Sequence, residues 1–364
     1  PVKNWIVVLT FFTQRTKKQM NSQSPDVGVG GERKPRELEA EFSELFGIPE
    51  FAKKIKERGL NGDLRYSALR SLLWKILLEV LPPYVATSEW PQRIATARKE
   101  YDGLCSKYFV DPHTSDAAAQ AADPLSQAAD SSWNQYFKNE EVIAEIGKDI
   151  IRTYPEHEFF IKEETRQALT RVLFIYARDH PQVGYRQGMH ELLAPIYYVA
   201  WTDAMAVERE VATSSFVRDT IAKLVDIHFI EHDSYAIFSA LMVHAAEFFL
   251  GSGSELSRAV NKEEDLSATP VVRRCRKIHN TLLKQKDPEL YERLNKFEIE
   301  PQIYSMRWLK LLFGREFHLQ DLLILWDAIF AYGRGLALVD YICVAMLIYI
   351  RKQLLTMDQV MVTK

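Results

Sequence analysis

The chain has 364 residues, 47% of them hydrophobic and 26% charged, enough to bury a substantial core in one large domain or two lobes. A formal net charge of −3 gives no electrostatic ground for nucleic-acid binding. Cys105, Cys275 and Cys343 are far apart and form no CxxC pair, which argues against a zinc site or disulfide framework and for a reducing, cytosolic setting.

Residues 1–37 read as a flexible N-terminal tail, polar from Gln14 to Glu37. The apolar runs Trp5–Phe12 and Ile342–Ile350 fall short of the roughly 20 residues a membrane span needs. Trp5–Phe12 also lacks the flanks of a signal peptide and receives no role. A different pattern begins at Leu38. Glu39–Phe46 and Phe51–Arg58 are helix-like, and Leu60–Asp63 is a loop. Tyr66–Val80 then carries Leu69, Leu72, Leu73, Ile76, Leu77 and Val80 at helical spacing, stopped by Pro82 and Pro83.

Trp90–Tyr108 is a further helix, and residues 111–130, rich in Ala, Asp and Ser, form a surface loop. Glu140–Ile151 places Val142, Ile143, Ile146, Ile150 and Ile151 on one apolar side, with Pro155 ending it. Glu163–Asp179 is strongly amphipathic, His180–Tyr185 is a turn, and Gly188–Ala200 is apolar enough for a buried helix. Helices are also expected at Phe216–Phe229, Ser234–Phe249, Val271–Lys284, Pro288–Phe297, Tyr304–Phe313, Leu319–Phe330 and Leu336–Leu355. Residues 251–270 form a polar, disordered insert and residues 356–364 a C-terminal tail. With few β runs and no repeat, the fold class is all-α, with roughly twelve to sixteen helices and no significant sheet.

Two stretches carry chemistry. Asp149 and Arg152 lie three residues apart, hence on one face of a helix, with the arginine at its end before Thr153-Tyr154-Pro155. Such a pair is ordinarily a surface contact of about 0.2–0.5 kcal/mol. In a second stretch about thirty residues further on, Gln187 sits between Gly184 and Gly188, whose backbone freedom marks a constrained turn. A planar guanidinium suits charge growing on phosphoryl oxygens, and an amide can orient an attacking water. The nine histidines contain no HExxH; His228, His232 and His244 read as structural or surface groups, so no metal site is expected.

Ile146, Asp149 and Arg152 as IxxDxxR, followed by Tyr185 and Gln187 as YxQ, resemble the paired motifs of the TBC-domain Rab GTPase-activating proteins. Further stretches resemble the same family: Arg70 and Trp74, Asp123–Gln127 with Trp133, and Arg307-Trp308 followed by Arg315–Phe317 and Trp326-Asp327. The resemblance spans most of the chain and implies a large two-lobed TBC domain over residues 38–355. It implies that Arg152 and Gln187 serve as arginine and glutamine fingers for a Rab in its GTP form. The Rab would bring the GTP and Mg²⁺, so the chain needs no cofactor and is not itself a hydrolase.

Asp149 and Ile146 are then supports for the arginine. Tyr185 and Gly188 support the glutamine loop, with partner contact as the other reading of Tyr185. Arg70, Trp74, Arg307, Trp308, Trp326 and Asp327 are structural, since tryptophans at helical spacing are ordinarily core. Ile230–Phe238, Glu298–Phe317 and Arg186–Tyr198 look most like the retromer-associated, endosomal member of the family. That likeness implies a possible retromer subunit as partner and recruitment to endosomal or autophagic membranes through proteins alone. A trafficking scaffold that binds a Rab or coat subunit without catalysis is the alternative.

Overall fold

A computed structural model of the chain describes residues 38–48, 50–109, 132–209, 216–251 and 268–356, with the side chains of Ser132, Phe216 and Arg334 outside the description. These residues form fifteen α-helices of five or more residues, and no strand is present among them. The helices are α1 Leu38–Phe46, α2 Phe51–Leu60, α3 Arg70–Leu77, α4 Trp90–Tyr108 and α5 Ser132–Ile151. After a single helical turn at Glu158–Ile161 come α6 Glu163–Asp179, α7 Met189–Arg209, α8 Phe216–Leu224 and α9 Ile230–Ala245. Then follow α10 Pro270–Lys277, α11 Pro288–Lys296, α12 Pro301–Lys310, α13 Leu319–Tyr332, α14 Ala337–Tyr349 and α15 Arg351–Thr356.

Local chemistry sets many of the starts. Prolines stand in the first turn of α4, α10, α11 and α12, where a missing N–H costs nothing. At α11 the Asp287 carboxylate also accepts from the Leu290 amide at 3.0 Å.

Several expected helices differ, among them Ser234–Phe249, which turns 3₁₀ after Ala245, and Tyr304–Phe313, which runs from Pro301 to Lys310. The Tyr66–Val80 pattern is helical only from Arg70 to Leu77. The Ser67 hydroxyl accepts from the Leu69 amide at 3.0 Å, a local turn that competes with helix, and Glu79 turns left-handed at φ +63°. The Phe216–Phe229 pattern breaks after Leu224, because Asp226 accepts from the His228 amide at 2.9 Å and starts a 3₁₀ turn. Val271–Lys284 contains a π-helical segment at Ile278–Leu283. The final helix divides at Ile350 into α14 and α15, with Arg351 paired to Asp287 and Glu289. The loop at residues 111–130, Asp123–Gln127, the tails and most of the insert lie outside the described residues; Thr269 and Pro270, assigned to the insert, instead cap and begin α10.

The chain divides into two compact units, Pro1–Leu78 with Leu241–Lys364, and Glu79–Ala240. In the first, α2 packs on α13 so closely that a Cβ on Gly59 would meet the Ala331 methyl at 2.5 Å. Its core includes Trp74, Trp326 and Phe330, with the Trp74 and Phe330 rings edge-on at 5.1 Å. In the second unit α6 is central, packed against α5, α7 and α4. Its inward residues Leu169, Val172, Leu173, Phe174 and Ile175 are all but fully buried. No described helix is long and apolar enough to cross a membrane.

Candidate functional site

The candidate side chains lie in the second unit, at the C-terminal end of α5 and in the turn before α7. Ile146 and Ile150 anchor the last turns of α5 in the core. The helix stops because Thr153 folds its hydroxyl back onto the Asp149 carbonyl at 3.0 Å, and Tyr154 adopts a left-handed backbone at φ +43°. A tyrosine pays for that conformation with strain, held here by burial and by stacking on Phe160, ring centroids 5.1 Å apart. Arg152 therefore leaves a stiff shoulder, and its side chain is 53% exposed. Beside it, Ile150 and Ile151 line an apolar cavity of about 380 Å³ between α5 and α6.

Among the described residues, one carboxylate holds the arginine. Asp149, almost fully buried, bonds the Arg152 guanidinium through Oδ1. Its other oxygen accepts from the Tyr185 hydroxyl at 2.7 Å. Burial first, and the Asp149 carboxylate second, push the Tyr185 phenol far above its usual range, so the hydroxyl keeps its proton and donates. The two sequence stretches, IxxDxxR and YxQ, thus meet at a single buried carboxylate.

The turn that delivers Gln187 is built from backbone. The Gly184 amide bonds the His180 carbonyl at 2.8 Å, and Gly184 and Gly188 take φ +63° and +106°. A side chain at either would strain the turn. Tyr185 points inward and is buried, whereas Arg186 and Gln187 face solvent. The Gln187 amide has no hydrogen bond to any described residue, so both its donor and acceptor faces are available. Of the two readings of Tyr185, the buried hydroxyl on Asp149 fits a support for the loop rather than a surface open to a partner.

His190, in the first turn of α7, escaped the sequence reading. Its Nδ1 lies 3.1 Å from the Tyr185 hydroxyl oxygen, 3.5 Å from Asp149 Oδ2 and 3.4 Å from the Gly188 amide. Its Nε2 lies 3.5 Å from Glu191 Oε1, and both residues are buried. The available signal was a histidine and a glutamate inside an otherwise apolar helix, since buried polar groups require partners.

Of the other family-motif residues, Arg70, Trp74, Arg307, Trp308, Trp326 and Asp327 lie in the first unit, and Trp133, in the second, contacts the Tyr136 and Phe137 rings within α5. Asp327 accepts from the Trp74 indole at 2.8 Å and pairs with Arg70 at 3.2 Å. Trp326 donates to the Leu312 carbonyl at 2.9 Å, bracing a bend where Leu312 and Phe313 are both left-handed. Trp308 is buried, and Arg307 is largely exposed, reaching Glu316. His232 contacts Asp102, and no described group of three or more His, Cys, Asp or Glu is placed to hold a metal ion.

The described residues thus form an all-helical arrangement that presents an anchored arginine and an unengaged glutamine. The chain belongs to the Rab-GTPase-TBC domain family, whose model matches residues 67–355. It is 42% identical to TBC1 domain family member 5 of Homo sapiens over 87% of this chain and 41% of that protein. It is 32% identical to TBC1 domain family member 5 homolog B of Dictyostelium discoideum, over 90% of this chain and 41% of that protein. The chain thus spans about two-fifths of the length of these relatives. Its fold matches the crystal structure of the Ypt/Rab-GAP domain of Gyp1p, with a TM-score of 0.64 at 20% identity, covering 88% of this chain and 87% of that one.

Proposed function

We propose that the chain is a GTPase-activating protein for a Rab-family GTPase and that it supplies Arg152 and Gln187 in trans. The observation that carries this reading is the buried Asp149 carboxylate, which fixes the exposed Arg152 while bonding the tyrosine that precedes Gln187. The partner brings GTP and Mg²⁺. Arg152 neutralises charge growing on the transferring phosphoryl group, and Gln187 orients the attacking water. The chain completes its partner's site and is not itself a hydrolase. Stretches resembling the retromer-associated family member support an endosomal setting, a retromer subunit as second partner, and recruitment to endosomal or autophagic membranes through proteins.

Single-turnover GTP hydrolysis across a Rab panel, with binding to the same Rabs, tests this. Arg152→Ala is expected to lower the stimulated rate by about 10³–10⁵-fold, roughly 4–7 kcal/mol of barrier, without unfolding the domain. Gln187→Ala should lose less where the Rab's own glutamine compensates. Full stimulation by Arg152→Ala would refute the reading, and binding without stimulation by the wild-type chain would favour the scaffold.

A further inference from the structure

We propose that His190 is a positioning residue that ties the arginine finger and the glutamine turn into one unit, acting through Tyr185 and Asp149. The proposal rests on the Rab-activating reading above. The Tyr185 proton is committed to Asp149 at 2.7 Å, so the tyrosine oxygen offers only lone pairs to its other neighbour. That neighbour is His190 Nδ1 at 3.1 Å, which must therefore donate. The Gly188 amide approaches the same nitrogen at 3.4 Å and would ask it to accept. The two contacts make opposite demands, and the shorter one, onto an oxygen with no proton left to give, decides that Nδ1 carries the proton. Asp149 Oδ2, 3.5 Å from Nδ1, is a second acceptor on the same side of the ring, and Glu191 Oε1 lies 3.5 Å from Nε2 on the other.

The consequence is directional. With Nδ1–H filling the acceptor side of the Tyr185 oxygen, the hydroxyl can rotate to one useful direction, toward Asp149, and the carboxylate stays turned so that Oδ1 meets Arg152. The ring is also fixed in the first turn of α7, two residues after Gly188, so its position sets the end of the glutamine turn. Burial leaves water no route to replace it: His190 is 3% exposed. A loss of the ring's donor frees Tyr185 and Asp149 to rotate, and it misplaces Arg152 without removing any group that touches the GTP.

The test compares His190→Phe, which keeps a planar ring and loses the polar atoms, with His190→Asn. An asparagine amide has a separate donor for Tyr185 and a separate acceptor for the Gly188 amide, so it should restore the brace. Both are assayed in single-turnover hydrolysis with the GTP-loaded Rab that the wild-type chain stimulates most, alongside Arg152→Ala and thermal unfolding. His190→Phe is expected to lower the maximal stimulated rate by about 10–100-fold, the scale of a misplaced catalytic group, with half-saturating Rab concentration unchanged. His190→Asn should recover most of that rate, and adding His190→Phe to Arg152→Ala should lower the residual rate no further. A wild-type rate for His190→Phe beside an inactive Arg152→Ala would overturn this inference alone. Equal losses in the Phe and Asn variants, or an additive loss in the double variant, would overturn it as well. Full activity of Arg152→Ala would instead overturn the Rab-activating reading beneath it.

Discussion

Two aspartates in this protein have nearly the same neighbours and different fates. Asp149 accepts from an aromatic hydroxyl, Tyr185, and from an arginine, Arg152; Asp327 accepts from an aromatic N–H, Trp74, and pairs with an arginine, Arg70. The difference is where the arginine ends. Arg70 is 7% exposed and closes its cluster off from water, whereas Arg152 is 53% exposed and leaves its cluster open on one side. In the closed case burial dominates, and it pushes the Asp327 carboxyl up to about 6 against the pull of Arg70 and Trp74. The same triad chemistry therefore serves as a rivet when sealed and as a mount when open.

The largest effect that separates the two is reciprocal. Arg70→Ala should destabilise the fold by about 3–5 kcal/mol by leaving a buried carboxylate without its cation, while Arg152→Ala should leave the denaturation midpoint unchanged. Equal midpoints for both variants would erase the distinction. The next effect is a pH dependence. Because Asp327 holds its proton more tightly folded than unfolded, its contribution to stability is full below about pH 4 and is lost as pH rises through about 6. Relative to Asp327→Asn, the wild-type protein should therefore lose on the order of 3 kcal/mol across that window. Denaturant titrations of both proteins from pH 4 to pH 7 would show it, and parallel curves would contradict it. The smallest concerns the open mount. Tyr185→Phe should weaken the hold on Asp149 by about 1–3 kcal/mol, read as a slower stimulated hydrolysis with Rab binding intact. A loss of Rab binding with unchanged turnover would instead make Tyr185 a partner contact.

Much of this was legible because the punctuation was local. The ends of α4 and α6 could be read to the residue, Trp90–Tyr108 and Glu163–Asp179, the second from its clean amphipathic spacing. The Tyr66–Val80 pattern could not, since one serine hydroxyl and one left-handed glutamate outweigh a long apolar period. The division of the last helix at Ile350 likewise follows no residue that marks a stop. In the candidate site, Asp149, Arg152, Tyr185 and Gln187 stood out through their resemblance to the paired family motifs, and helical spacing placed Asp149 against Arg152. What no spacing could supply was the contact between stretches 36 residues apart, from Tyr185 to Asp149. His190 was hidden for the same reason: the partners of its Nδ1 are assembled by the turn before α7 and by α5, not by its neighbours in the helix.

The left-handed Tyr154 has a bearing on how fast a productive complex can form. Ordering one backbone residue takes about 1–2 kcal/mol of entropy, and ordering an arginine side chain up to about 2 kcal/mol. With Thr153 tied to Asp149 and the Tyr154 ring wedged on Phe160, the main chain behind Arg152 is already ordered before any partner arrives. Only the torsions of one side chain remain to be frozen at the encounter. A glycine at position 154 would relieve the strain and return that disorder, so the same arginine would act from a swinging arm.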